Sequence, residues 1–159
     1  VWTPRWPMNA EPRLRVVIDT NIWISAALAP SGPPAQVVHH VLRHGVPVLS
    51  PPTFAELESR LWKPKFDRYL RIEGRRDLLR NLNGAALWID IPPDLAAQRY
   101  SRDPEDDKFV QTVLAAEAAW IITGDQDLLS MAPIEGLLVC TPAAATAHAA
   151  FQTAPGGPG

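Results

Sequence analysis

Val16-Val17-Ile18-Asp19-Thr20-Asn21 decides how this chain is read. Three β-branched residues in a row lack the alternation of a half-solvated strand and suit one buried on both faces. A carboxylate then closes the strand, and it needs donors or a cation to stay charged there. Four more short apolar runs follow: Val46 to Leu49, Leu87 to Ile91, Trp120-Ile121-Ile122 and Leu137-Leu138-Val139. Between them, apolar residues recur at helical spacing, as in Phe54, Leu57 and Leu61 or Phe109, Val110, Val113 and Leu114. Ser50 before Pro51, and Asp103 before Pro104, each read as an N-cap with proline at the first helical position. Strands alternating with helices predict a three-layer α/β/α sandwich with a central parallel sheet of about five strands.

The 159 residues are the length of one domain, expected over residues 13–150. Residues 1–12 read as a flexible N-terminal extension in which Met8 is a second candidate start after Val1, and residues 151–159 as a flexible C-terminal tail. One cysteine, Cys140, excludes an internal disulfide, and with the scattered histidines His39, His40, His44 and His148 it offers no Cys/His zinc cage. A net charge of −2 argues against a chain that coats nucleic acid indiscriminately. With no apolar run of membrane-spanning length and no apolar leader, the expected location is the cytoplasm.

In an open parallel sheet, ligands bind beyond the carboxyl ends of the strands, where the crossover helices also begin. Asp19 closes the first strand, and Glu56 lies early in the helix after the second. Asp106 and Asp107 fall in the first turn of the helix before the fourth strand, and Asp125 and Asp127 follow that strand directly. Four segments thus deliver carboxylates to one edge. Hard oxygen ligands without thiolate or imidazole suit Mg²⁺ or Mn²⁺, and such a site suits phosphodiester hydrolysis. Structural roles stay open for each acid: first-turn dipole partners for residues 105–107, a capping box between Thr53 and Glu56, and turn or cap positions for Asp125 and Asp127.

At these residues the sequence resembles the PIN-domain nucleases. Val16 to Asn21 is similar to the opening motif, with Ser25 where many members carry Ser or Thr, and Glu56-Leu57 is similar to the second acid. Asp103-Pro104-Glu105-Asp106-Asp107-Lys108-Phe109 and Thr123-Gly124-Asp125-Gln126-Asp127-Leu128-Leu129 resemble the third and fourth blocks of a subgroup of toxins akin to the virulence-associated type C toxins. The resemblance implies a Mg²⁺- or Mn²⁺-dependent endoribonuclease acting on RNA, a toxin neutralised by a small antitoxin protein, and a homodimer. By position it assigns Asp19, Glu56, Asp107 and Asp125 as the core acids that bind metal, Asp106 and Asp127 as their neighbours, and Asn21, Thr123 and Ser25 as orienting residues. Periodicity alone does not separate Asp106 from Asp107: Asp106 leads to Phe109 and Val113, Asp107 to Val110 and Leu114. Gln111 and Thr112 depart from the small apolar residues usual in the subgroup.

Eight of the fifteen basic residues fall between positions 60 and 80, with Trp62, Phe66 and Tyr69 interleaved. Arg60, Lys63, Lys65, Arg68, Arg75 and Arg76 are the candidate RNA-binding residues, against the alternatives of a solvated helical face or an antitoxin dock. His39, His40 and His44 are expected at the end opposite the acids, Trp23, Trp88 and Trp120 in the core, and Cys140 buried and inert. Two other functions stay open. One is a non-catalytic module that keeps an acidic pocket to hold a partner. The other is a phosphohydrolase acting on a small phosphate ester, weakened because Asn21 stands where the haloacid-dehalogenase type needs a second Asp.

Overall fold

The computed structural model describes residues 14–152. Five parallel strands form one sheet in the order β3-β2-β1-β4-β5. They are β1 (Leu14–Ile18), β2 (Gly45–Leu49), β3 (Leu87–Trp88), β4 (Trp120–Ile122) and β5 (Leu138–Cys140). Helices α1 (Thr20–Leu28) and α2 (Pro33–His44) join β1 to β2, and α3 (Pro51–Leu61) and α4 (Ile72–Ala85) join β2 to β3. The short α5 (Pro93–Ala96), a 3₁₀ turn at Pro104–Asp106 and α6 (Asp107–Ala115) carry the chain back to β4. The one-turn α7 (Gln126–Leu129) precedes β5, and α8 (Pro142–Ala147) and α9 (Ala149–Gln152) follow it. The strand order reverses between β1 and β4, so the crevice at their carboxyl ends is the ligand site expected of this topology.

The third strand is shorter than its apolar run. It pairs only at Leu87 and Trp88, with one further bond from Ile89 N–H to Leu49 O, before Pro92 and Pro93, which have no N–H for a ladder, turn the chain away. The fifth strand begins one residue late, because Leu137 N–H bonds Ile134 O in a turn and the ladder opens with Leu138 N–H to Ala119 O.

Side chains leave the strands alternately toward two cores. Val16, Ile18, Trp120 and Ile122 pack on one face with α1, α2 and α3, and Val17, Val48 and Ile121 pack on the other with Phe109, Val110 and Val113 of α6. Trp23 and Trp120 are buried as expected, but Trp88 is 38% exposed. At the edge strand its ring leans on Phe54 and its Nε1–H donates to Asn83 O. The folded unit extends past residue 150: Phe151 is buried, edge-on to Trp120 at 4.9 Å. The extension 1–12 and the tail from residue 153 lie outside the described residues. His39, His40 and His44 sit on α2, whose C-terminus runs into the amino end of β2, away from the crevice. Cys140 is half-buried, and burial pushes its thiol pKa up.

Two joints expose backbone constraints. Gly45 turns α2 directly into β2, where an added Cβ would stand 2.6 Å from Leu14 O of the neighbouring strand. At the end of α6, Glu117 occupies the left-handed region at φ 52°. Its N–H bonds Leu114 O and Ala118 N–H bonds Val113 O, the two bonds of a Schellman cap. Arg15 Nη1 also donates to Ala116 O at 2.9 Å. Gly45→Ala is expected to cost about 1–3 kcal/mol, because the backbone of β1 must shift to admit it. Glu117→Gly is expected to stabilise by roughly 0.5–1 kcal/mol, since a left-handed L-residue is strained by about 1–2 kcal/mol and glycine's extra unfolded-state freedom takes part of that back. Urea unfolding of the two variants checks both; a destabilised Glu117→Gly would show that the Glu117 side chain makes a stabilising contact.

Candidate active site

Asp19 ends β1 at the reversal point. Its own N–H bonds Ile122 O across to β4, so the residue belongs to both strands. Asp19 is 3% exposed, and its carboxylate accepts from Thr123 Oγ1 at 2.7 Å. Burial raises its pKa; the Thr123 bond opposes the rise, the charges of Glu56 and Asp125 add to it, and the nearby Asn21 backbone N–H opposes it. Thr123 is fully buried and also accepts from Asp125 N–H at 2.9 Å, so one hydroxyl ties both acids to the end of β4. Asp125 caps α7 by accepting from Asp127 N–H at 2.8 Å, so the cap role is real and coexists with a place in the acid cluster.

The structure gives Asp106 and Asp107 different surroundings. Asp107 is buried, but its carboxylate turns away to the preceding loop: Oδ1 accepts from the N–H groups of Tyr100 and Ser101, and Oδ2 from Arg99 Nε at 2.8 Å. Both of its oxygens are thus engaged in holding residues 99–101. Asp106 instead faces the cluster. Burial is the main cause that pushes its pKa up to about 7, followed by the charges of Asp125, Asp103 and Asp19 and a hydrogen bond with Asp125. Its Oδ2 is buried with no hydrogen-bond partner, a costly arrangement for a carboxylate. Asp103, Asp106 and Asp127 bring carboxylate oxygens within 4.8 Å of one another. Asp103 also fills its expected N-cap role, accepting from Glu105 N–H.

Glu56 lies at the other flank. The capping box of α3 joins Ser50 and Thr53, which leaves Glu56 free to point inward. Its Oε2 accepts from Thr20 Oγ1 at 2.5 Å, and its Oε1 meets Lys108 Nζ at 3.0 Å and Arg60 Nη2 at 3.3 Å. Lys108 is only 17% exposed, so this flank carries its own counter-charge. Asn21 acts through its backbone on Asp19, while its side chain accepts from Arg60 Nη1 at 3.2 Å. Ser25 sits on α1 without a side-chain bond to any of these acids.

Of the basic residues, Lys63, Lys65, Arg68 and Arg76 are exposed and Arg60 is half-exposed. Arg75 is not available to a ligand: it is 3% exposed, pairs with Asp67 at 3.0 Å and lies over the Trp62 ring. These contacts fasten α4 to the loop before it. Thr20, Arg99, Ser101, Asp103 and Lys108 were not marked as site residues by the sequence. Thr20 and Lys108 carried a signal by adjoining marked acids, and Asp103 by opening the third resembling block; Arg99 and Ser101 carried none.

A PIN-domain family model matches residues 15–127. The uncharacterized protein MJ1680 of Methanocaldococcus jannaschii is 33% identical over 121 residues, which cover 75% of this chain and 76% of that protein. Among solved structures, VapBC2 from Rickettsia felis, bound to a DNA fragment from its promoter, gives a TM-score of 0.54 at 13% identity, over 80% of this chain and 98% of that one. PAE2754 from Pyrobaculum aerophilum gives 0.53 at 14% identity, over 84% and 88%. At these identities the two structures speak for the fold.

The raised Asp106 pKa has a consequence for stability. An unfolded Asp releases its proton near about pH 4, whereas the metal-free fold keeps it up to about 7. The stability linked to that proton is complete at low pH and is lost as pH rises through 7. Without divalent ions, the melting temperature is expected to fall between pH 5 and 8, and Asp106→Asn to flatten that fall. An equal fall in the variant would place the pH dependence on other groups.

Proposed function

Because this chain belongs to the PIN-domain family of nucleases, we propose that it is a Mg²⁺- or Mn²⁺-dependent endoribonuclease, the toxin of a toxin–antitoxin pair. The observation that carries the reading is Asp106: a buried carboxylate with an unpartnered oxygen, facing the charges of Asp125 and Asp19. A hard divalent cation satisfies that oxygen and removes the repulsion in one step, and the donor set, all carboxylate, fits Mg²⁺ or Mn²⁺. Asp106 would hold it with Asp103 and Asp127, whose oxygens lie within 4.8 Å of one another and of its own, and with Asp19 and Asp125, whose charges face it. When bound, the ion supplies an acidified water and neutralises charge on the attacking and leaving oxygens of a phosphodiester.

The chain's own residues do the positioning. Thr123 holds Asp19 and Asp125 in register by donating to one carboxylate and accepting from the other residue's N–H. Asp107 anchors residues 99–101, which fixes the start of α6 and thereby the direction of Asp106. Thr20, Lys108 and Arg60 fix the Glu56 carboxylate in place by a hydrogen bond and two ion pairs. The toxin reading draws on the sequence blocks and on the fold likeness to VapBC2. It implies a small antitoxin protein as partner, and a neighbouring gene whose product relieves growth inhibition by this chain is its direct test.

Two isosteric variants test the assignment of roles. Asp106→Asn is expected to lower Mn²⁺-dependent RNA cleavage by orders of magnitude, because metal stabilisation of the transition state is worth several kcal/mol. Its metal-free melting temperature should equal or exceed that of the wild type, since one like charge has gone. Asp107→Asn is expected to cost about 1–3 kcal/mol of stability, because the new amide opposes Arg99 Nε where a charged acceptor stood. An Asp106→Asn protein with full activity would sink the metal-site reading, and a wild type inert with both ions would leave the acidic binding module.

A further inference from the structure

Beside the acids, Asn21, Ile24, Arg60, Lys63, Lys65 and Phe66 line a cavity of about 240 Å³. Three of the six are cations. Arg60 shares its charge with Glu56, but neither Lys63 nor Lys65 pairs with a carboxylate among the described residues. Lys65 Nζ instead lies 5.1 Å from the centre of the Phe66 ring. Unneutralised cations turned toward one cavity attract an anion. Ile24 and Phe66 add an apolar surface that a simple anion does not need. Arg60 joins the two regions: its guanidinium reaches Glu56 at 3.3 Å and Asn21, two residues beyond Asp19, at 3.2 Å.

Resting on the endoribonuclease reading, we propose that this cavity is a subsite for single-stranded RNA, which takes a backbone phosphate next to the cleaved bond on Lys63, Lys65 and Arg60 and a base against Phe66. Cations beside an aromatic ring are the pairing that single strands use, phosphate on charge and base on ring. An RNA duplex keeps its bases stacked inside and has none to give Phe66. An acidic peptide would satisfy the cations and leave Ile24 and Phe66 idle. The exposed Tyr69, on the same segment as Phe66, offers a further ring along such a strand.

The test is fluorescence anisotropy of a labelled, unstructured oligoribonucleotide in EDTA over a salt series, where binding is read without cleavage. The double variant Lys63→Gln, Lys65→Gln is expected to flatten the slope of log K against log salt by up to about 0.7, the share of the one phosphate that the two lysines hold with Arg60. Phe66→Leu, which keeps apolar bulk against the core, is expected to weaken single-strand binding about fivefold or more and leave duplex binding unchanged. Unchanged slope and affinity in the double variant, on a chain with wild-type melting temperature, would overturn the subsite even if RNA is cleaved. An equal effect of Phe66→Leu on duplex, or a glutamate-rich peptide that outcompetes the oligonucleotide, would overturn it in favour of a different ligand. Variant-sensitive RNA binding by a wild type that never cleaves with Mg²⁺ or Mn²⁺ would uphold the subsite and overturn the nuclease reading instead.

Discussion

Gathering several carboxylates, Asp19 and Asp106 buried among them, at one edge of the sheet is the constraint on which the rest of this structure depends. Each charge raises the cost of its neighbours, and low-dielectric surroundings magnify the effect. The sheet makes the arrangement possible by supplying fixed donors. The Thr123 hydroxyl donates to Asp19 and so offsets part of the cost of burying it, and the same hydroxyl receives Asp125 N–H. These bonds sit at the reversal between β1 and β4, the part of the fold with strands on both sides and helices above and below. Rigidity there keeps the acids from relaxing apart.

The cluster is asymmetric in its compensation. On the Glu56 flank, Lys108, Arg60 and Thr20 supply two charges and a hydroxyl from three separate elements. On the Asp106 flank, among the described residues, no cation approaches: Asp103, Asp106 and Asp127 face one another, and one oxygen of Asp106 has no partner. A site that neutralises itself on one side and stays open on the other directs an incoming cation to the open side. The same asymmetry places the free positive charge of Lys63 and Lys65 beyond Glu56, where a polyanion crossing the acids would first meet attraction.

Asp107 shows how support and chemistry divide between adjacent residues. Its three hydrogen bonds fix the loop at 99–101 and the first turn of α6, and they work only while its carboxylate points away from the crevice. Asp106, one residue earlier and in the 3₁₀ turn, is aimed by that anchor. Arg75 makes the parallel case among the cations: enclosed by Asp67 and Trp62, it fastens a helix and is closed to solvent.

Much was legible in the chain alone, because the signals were local. Unalternating β-branched runs such as Val16 to Ile18 reveal strands buried on both faces, and Ser50-Pro51 and Asp103-Pro104 mark helix starts through φ and N–H chemistry that needs no partner. From alternating strands and helices, the sheet edge that gathers Asp19, Glu56 and Asp125 followed by topology. What the chain could not decide was direction. Asp106 and Asp107 are equally compatible with helical periodicity, and only the positions of Tyr100, Ser101 and Arg99, set by packing of a loop without regular structure, turn one away and leave the other in the cluster. Trp88 and Arg75 read as core and surface by residue type, yet an edge strand exposes the first and a helix–loop contact encloses the second. Local backbone chemistry writes where elements begin and end. Which way a side chain faces depends on groups distant in sequence, and those are brought together only by the tertiary fold.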